Sequence, residues 1–412
     1  MFDVEKIRAD FPILKRKING HELVYLDSGA TSQKPESVLR AMDDFYRNNN
    51  ANIHRGVYDL SVESTKMVDE VREKVAKFIG GRAEEIIFTR NASESLNLVM
   101  YSWGKKNIKE GDVILVTRLE HHSNFVPWQV LCKEKGASFR VVEVDSEGRI
   151  DGSSLKRLTE DGKVKLFALT GASNAIGTLV DIKKMVELVK KNNPRVVVVL
   201  DASQMVPHMS MDVNKLPVDF VAFSGHKMLG PTGTGVLWGK KEVLLNMEPF
   251  MYGGDMISEV GLTETTWADL PNKFEAGTPD IAGIIGLGAA VDYLTNLGMG
   301  EVRTHEKELV EYALEKFKLL EDEDLVTVYG VKKSEERGGA IAFNVKGVHS
   351  HDVAQVLNNF GICVRSGQHC AAPLVTSFNV MSMVRATFYV YNTKSEIDYL
   401  VEKIKEVPKV FI

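Results

Sequence analysis

What most constrains this chain is a series of short, unbroken apolar runs in its middle. They are EIIFT (85–89), DVILV (112–116), FRVVEV (139–144), KLFALT (165–170), RVVVVL (195–200), DFVAFS (219–224) and GVLW (235–238). A strand with one face in water alternates apolar and polar residues, whereas a strand covered on both faces reads as a continuous apolar run. Helical patterns such as IKKMVELVKK (182–191) lie between several of them. Residues 63–79 place Met67, Val71, Val75 and Phe78 on one helical face, and Gly80 and Gly81 end that helix. This alternation predicts an α/β domain with a mostly parallel sheet of seven strands.

After about residue 290 the rhythm changes. A long charged helix (301–320) leads to GGAIAFNV, SHDVAQVLNNFG, ICVRSG, MVRATFYV and a last helix, for which Thr393 and Glu396 form a capping box. This predicts a smaller α+β domain. The expected division is an N-terminal segment (1–25) packing with the small domain, a large domain (26–290) and the small C-terminal domain (291–412).

Composition closes off several functions. The net charge of -5 argues against a nucleic-acid binder that relies on a basic face. No window approaches 18 uninterrupted apolar residues, and the N-terminus reads as neither a secretory signal nor a transit peptide, so a cytoplasmic protein without a membrane span is expected. The three cysteines, Cys132, Cys363 and Cys370, are odd in number and widely spaced, which fits a reducing compartment. No CxxC pair occurs, and no metal site is expected.

Ligands of open α/β sheets bind beyond the carboxyl ends of the strands. Polar residues collect there. EIIFT runs into RNASESLN, where Asn91 or Ser93 opens a helix whose free N–H groups suit a phosphate. DVILV is followed by His121 and His122, KLFALT by Asn174, RVVVVL by Asp201 and Gln204, and DFVAFS by His226 and Lys227. Taken singly, Asp201 would serve equally as a helix N-cap and His121 as a loop histidine. GPTGTG (230–235) lacks the Lys-Ser/Thr ending of a Walker motif, so a nucleotide-binding module is a distant alternative. Taken together, these strand ends suggest one anionic, aromatic ligand lying across the top of the sheet.

The chemistry proposes which. A lysine in a desolvated pocket, such as Lys227 in its small and apolar surroundings, has a lowered pKa and forms a Schiff base with an aldehyde. A buried carboxylate keeps a heterocyclic nitrogen protonated. A helix N-terminus and hydroxyls hold a phosphate. These are the requirements of pyridoxal 5′-phosphate. An amino-acid carboxylate then needs an arginine, and Arg385 interrupts an apolar strand. Cys370 sits in a polar, glycine-containing loop after His369 and five residues from Arg365, a setting expected to lower a thiol pKa. Cys132, in an apparent helix, and Cys363, in a strand, read as inert.

DASQ (201–204), FSGHKMLGPTG (223–233), FEAGTP (274–279), EHHSNFVPW (120–128) and RSGQHCAAP (365–373) together resemble the cysteine desulfurases of the class V aminotransferase family. FSGHK and the short RxGxHCA loop are similar to the SufS-like, or group II, branch, which includes selenocysteine lyases. The resemblance implies the pyridoxal-phosphate-dependent transferase fold of type I. It implies that Lys227 holds the cofactor's aldehyde and moves the substrate α-proton, Asp201 pairs with the ring nitrogen, Gln204 reaches the ring hydroxyl, and His121 stacks on the ring and assists proton transfer. Ser93, Ser224 and His226 would bind the phosphate in a loop that includes Ala92. Thr278 would add to the phosphate site of a neighbouring subunit, which implies a homodimer. Asn174, Arg385 and Arg365 would hold the carboxylate of L-cysteine. Cys370 would take the sulfur as a persulfide, releasing alanine and feeding a sulfur acceptor of the SUF system for iron–sulfur cluster assembly. Selenocysteine and cysteine sulfinate are alternative substrates. His349 and His351 are candidates for docking that acceptor or for a transient metal contact, or else simply form an exposed helix turn. Three positions depart from the pattern: Gln368 and Gly171 stand where relatives often have histidine, and Ala92 replaces a hydroxyl residue.

Overall fold

The computed structural model describes residues 2–411. A two-residue strand, β1 (Val24–Tyr25), precedes the helix α1 (Asp59–Ile79). The apolar runs then appear as β2 (Ile86–Thr89), β3 (Val113–Thr117), β4 (Ser138–Val142), β5 (Val164–Thr170), β6 (Val197–Asp201), β7 (Phe220–Ser224) and β8 (Gly235–Gly239). They form one seven-stranded sheet in the order β2-β8-β7-β6-β5-β3-β4. Only β8 is reversed, antiparallel to both β2 and β7.

The continuous runs mean what they should at the centre of the sheet: every residue of β3, β7 and β8 is buried. The edge strand β4 differs. It starts one residue and ends two residues earlier than the sequence pattern indicated, and stays half-exposed, because no further strand pairs beyond it among the described residues.

α1 begins at Asp59 and buries Val68, Val71, Val75 and Ile79, with Met67 and Phe78 at the margins of that stripe. Gly80 closes it in the left-handed region (φ 76°). α2 (Ala92–Leu98) is capped by Asn91, whose Oδ1 accepts from the Glu94 N–H at 3.0 Å. α3 (Ile182–Asn192) follows. α4 (Ile281–Leu297) is buried along most of its length, and α5 (Met299–Asp322) follows it at a bend of 76°. No single described helix is long and apolar enough to cross a membrane.

A second, four-stranded antiparallel sheet has β9 (Val326–Tyr329), β10 (Ala340–Val345), β12 (Arg365–Gly367) and β13 (Met383–Thr387) in the order β9-β10-β13-β12. The helices α6 (Ser350–Asn359), α7 (Ala372–Ser377) and α8 (Lys394–Ile404) accompany it. The Thr393–Glu396 capping box is present at the start of α8. Between α6 and β12 runs β11 (Ile362–Cys363), which leaves this sheet and pairs in parallel with β1. Apolar packing is divided accordingly. Val291, Leu294 and Val302 pack with the large sheet, whereas Leu309 and Phe317 of α5 pack with Phe343, Val384 and Ile397. Phe11 and Leu14 join the first group, and Val24 and Leu26 the second.

Candidate active site

β2, β5, β6 and β7 end at one edge of the large sheet, and the small sheet overhangs it. Between them lies a cavity of about 340 Å³. Of the residues singled out in the sequence, Ala92, Ser93, His121, Asn174, Asp201, Ser224, His226, Lys227, Arg365, Cys370 and Arg385 line it. Two do not. The Gln204 amide turns aside and donates to the Gly29 carbonyl at 2.7 Å. Thr278 lines a separate cavity with Phe250, Glu275 and Asp280.

Lys227 follows β7 on a single tight turn, Gly225–Lys227. A Cβ on Gly225 would lie 2.3 Å from the Thr234 hydroxyl, so only glycine lets the turn fit there. Burial lowers the Lys227 pKa, and the Asp201 charge partly offsets it. Asp201 is 5% exposed, and its Oδ1 accepts from the Ser203 N–H at 3.0 Å, so it also makes the local turn that a capping residue would make. The other oxygen has no protein partner among the described residues.

Above them, the His121 Nδ1 accepts from the Ser123 N–H at 3.1 Å. Burial, with Lys227 nearby, brings the His121 pKa down to about 4. The ring is therefore neutral at neutral pH, and the bond at Nδ1 puts its proton on Nε2. His226 is likewise neutral, its pKa brought down to about 4 first by burial and then by Lys227 and Lys34. At the mouth of α2, the Ala92 N–H donates to Ser224 Oγ at 2.9 Å, and the Ser93 and Ser123 hydroxyls meet at 2.5 Å. Gly171 is explained by its neighbour. A Cβ there would come within 2.7 Å of the Met205 sulfur, so a histidine does not fit while Met205 fills that space.

The small sheet brings two like charges together. Arg365 and Arg385 are direct cross-strand partners on β12 and β13, an arrangement that repels. Asp27, just past β1, relieves it. Its carboxylate accepts from Arg365 Nη2 at 2.9 Å and from Arg385 Nη2 at 3.0 Å. Arg385 also donates to the Asn174 carbonyl at 2.7 Å, yet its Nε and the Asn174 Oδ1 are buried without partners. Unpaired buried polar atoms are costly, and such atoms on two residues that line the cavity fit a site awaiting a charged ligand.

Asp27 left no signal in the sequence pattern, because β1 is too short to read as a strand. Gly29, Ala30, Asn91, Ser123, Ser203 and His369 also line the cavity.

The loop after β12 carries Cys370, whose side chain is exposed, with His369 and Cys370 both in the left-handed region (φ 53° and 52°). The sequence suggested positive charge beside this thiol from His369 and Arg365; Arg365 keeps its charge within electrostatic reach of Cys370, whereas His369 supplies none. His369 is buried and neutral, its pKa down to about 3 through burial and then Arg385, and Arg365 is paired with Asp27. Cys132 is buried, which pushes its thiol up to about 11, and Cys363 is half-buried and also raised. His349 and His351 stack at 5.3 Å on the exposed start of α6. There His349 caps the helix and the His351 Nδ1 lies 2.9 Å from the Ser366 hydroxyl on β12.

The sequence pattern of aminotransferase class-V matches residues 24–400. The chain belongs to the class-V aminotransferase family. This class-V aminotransferase is 46% identical over 410 residues, 99% of each chain, to a probable cysteine desulfurase of Halalkalibacterium halodurans. It is 46% identical to a cysteine desulfurase of Salmonella dublin over 98% of each chain. Among solved structures it is similar to the apo cysteine desulfurase of Thermococcus onnurineus NA1, with a TM-score of 0.92 and 39% identity over 98% of both chains. It is also similar to the cysteine desulfurase CsdA of Escherichia coli, with a TM-score of 0.89 and 33% identity over 100% of this chain and 99% of that one.

Proposed function

We propose that this protein is a pyridoxal-phosphate-dependent L-cysteine desulfurase that collects sulfur on Cys370. The observation that carries the reading is that Lys227, Asp201 and Cys370 line one cavity although they come from two different sheets. The cavity's residues fit the cofactor. Lys227 would hold its aldehyde, the unpartnered Asp201 oxygen its ring nitrogen, His121 its ring face, and Ser93, Ser224, His226 and the first N–H groups of α2 its phosphate. When bound, the cofactor supplies a sink for electrons from the substrate α-carbon.

The rest falls to the chain. Arg385, through its buried unpaired Nε–H, and the forked guanidinium of Arg365 bind the carboxylate of L-cysteine, with Asn174 beside them. The Lys227 amine, its pKa lowered, takes up the α-proton and returns one. The Cys370 thiolate attacks the substrate sulfur. An S–S bond forms as the substrate C–S bond breaks, a proton replaces sulfur on the three-carbon fragment, and L-alanine leaves. Sulfur remains on Cys370 as a persulfide.

Under this reading residues 26–290 hold the cofactor and residues 291–412 carry the nucleophile, with residues 1–25 packing against both. The working form is a cytoplasmic homodimer in which Thr278 serves the neighbouring subunit, and the persulfide passes to a thiol-bearing acceptor of a SUF-type iron–sulfur assembly system. The test is a spectrum and an assay. Purified protein should absorb at the visible edge of the ultraviolet and convert cysteine to alanine and sulfide. A protein without that band, or one whose band survives Lys227→Ala unchanged, refutes the assignment. Cys370→Ala assayed with selenocysteine and cysteine sulfinate separates the alternatives, because turnover of selenocysteine alone would mark a lyase.

A further inference from the structure

His122 has no part in the chemistry above. It is not among the cavity's lining residues, whereas the adjacent His121 is. Yet it grips the nucleophile loop at two points. Its backbone N–H donates to the Cys370 carbonyl at 2.7 Å, and its ring Nε2 accepts from the Ala372 N–H at 3.1 Å. One residue thus brackets the Cys370–Ala371 segment from both sides. We infer that His122 is the positioning residue for the nucleophile, clamping the loop so that the Cys370 thiol projects from a fixed backbone; this rests on the reading of Cys370 as sulfur acceptor.

Three features of the loop support a need for such a clamp. His369 and Cys370 are consecutive non-glycine residues with positive φ, a conformation that persists only where the surroundings over-determine it. The loop has few other ties: Ala371 N–H to the Gln368 carbonyl at 2.9 Å, the Asn174 amide to the His369 carbonyl at 2.6 Å, and the Leu374 and Val375 N–H groups to the Ala371 carbonyl at 3.0 Å each. Finally, the Cys370 side chain is exposed and gains no packing of its own to hold it.

The ring is in the right state for the task. Only a neutral imidazole with its proton on Nδ1 accepts at Nε2. Burial lowers the His122 pKa, which favours that neutral form. The dipeptide 121–122 therefore divides its labour, one ring facing the cavity and the other holding the loop above it. A displacement of the thiol by about 1 Å is enough to slow a reaction that depends on alignment by one to two orders of magnitude.

The experiment compares holoenzyme carrying His122→Phe, which keeps ring bulk without an acceptor, with His122→Gln, whose amide oxygen reaches about as far as Nε2. Backbone hydrogen exchange is followed by mass spectrometry in the 368–377 segment, alongside kcat, KM and the cofactor absorption band. His122→Phe should exchange faster there and lose about ten-fold in kcat, with KM within about two-fold and the band unchanged. His122→Gln should recover most of both losses.

The inference is overturned if His122→Phe keeps wild-type exchange and kcat, if His122→Gln is no better than His122→Phe, or if the band disappears along with activity. Cys370→Ser is run in parallel. Should it still release sulfide, the nucleophile reading falls and takes the catalytic role of the clamp with it, whereas exchange in the His122 variants reports on the clamp either way.

Discussion

At the floor of the cavity, Asp201 and Ser224 terminate strands whose residues are almost all buried. At its rim, Cys370 is exposed on a loop whose backbone runs through the left-handed region twice in succession. The floor is held by burial: Val198, Val199 and Leu200 are fully covered, and each such side chain contributes about 1.5–3 kcal/mol. The rim is held by a few hydrogen bonds, each worth about 1 kcal/mol net. A residue that must stay fixed against a cofactor belongs on the first kind of support. A thiol proposed to meet an incoming substrate belongs on the second.

Substitutions should expose this difference. The largest effect is expected from Lys227→Ala, which should remove the visible band and lower desulfurase turnover by at least about a thousand-fold. An absorption spectrum and an alanine assay check both. Cys370→Ser should lower sulfide release by about a hundred-fold or more while the band and the melting temperature stay as in wild type. A lost band in that variant would show that rim and floor are not separable.

Glu120 gives a pH test of the floor. It is fully buried and accepts from Thr117 Oγ1, the Thr170 N–H and the Asn124 amide; burial still pushes its pKa up to about 8. Between pH 4.5 and 8 the folded state therefore keeps a proton that the unfolded chain has lost, and stability falls as pH rises through that window. Glu120→Gln should flatten this slope, gaining on the order of 3 kcal/mol relative to wild type at pH 8, as read from urea unfolding at pH 5 and pH 8. Equal slopes in the two proteins would contradict it.

Gly171→Ala should cost about 1–3 kcal/mol by pressing on Met205, and Met205→Ala should relieve much of that in the double variant. The smallest effect belongs to the rim. Gln368 is exposed, so Gln368→His should change stability by no more than about 0.5 kcal/mol in the same unfolding assay.

The floor was legible in the sequence for a physical reason. Strands buried on both faces leave unbroken apolar runs, and their polar ends then stand out, as Asp201 and Lys227 do. The rim was less so. Arg365 and Arg385 were visible as charges, but the carboxylate that holds them, Asp27, lies 338 residues from Arg365 and follows a strand of two residues. His369 looked like a cation beside the thiol, because neighbouring letters carry no information on burial. Gln204 lies near Asp201 in sequence yet spends its amide on Gly29. The edge strand β4 misled by one residue at its start and two at its end, where the apolar pattern met the margin of the sheet.

The parallel pairing of β1 with β11 has a consequence for how the molecule comes into being. Val24 meets Ile362, and Asp27 meets arginines at 365 and 385, so the earliest part of the chain waits for nearly the last. On the ribosome, the sheet that bears Lys227 is complete more than a hundred residues before Cys370 has any setting at all. A nascent chain halted midway would carry the amine of Lys227 without the strands that support Cys370.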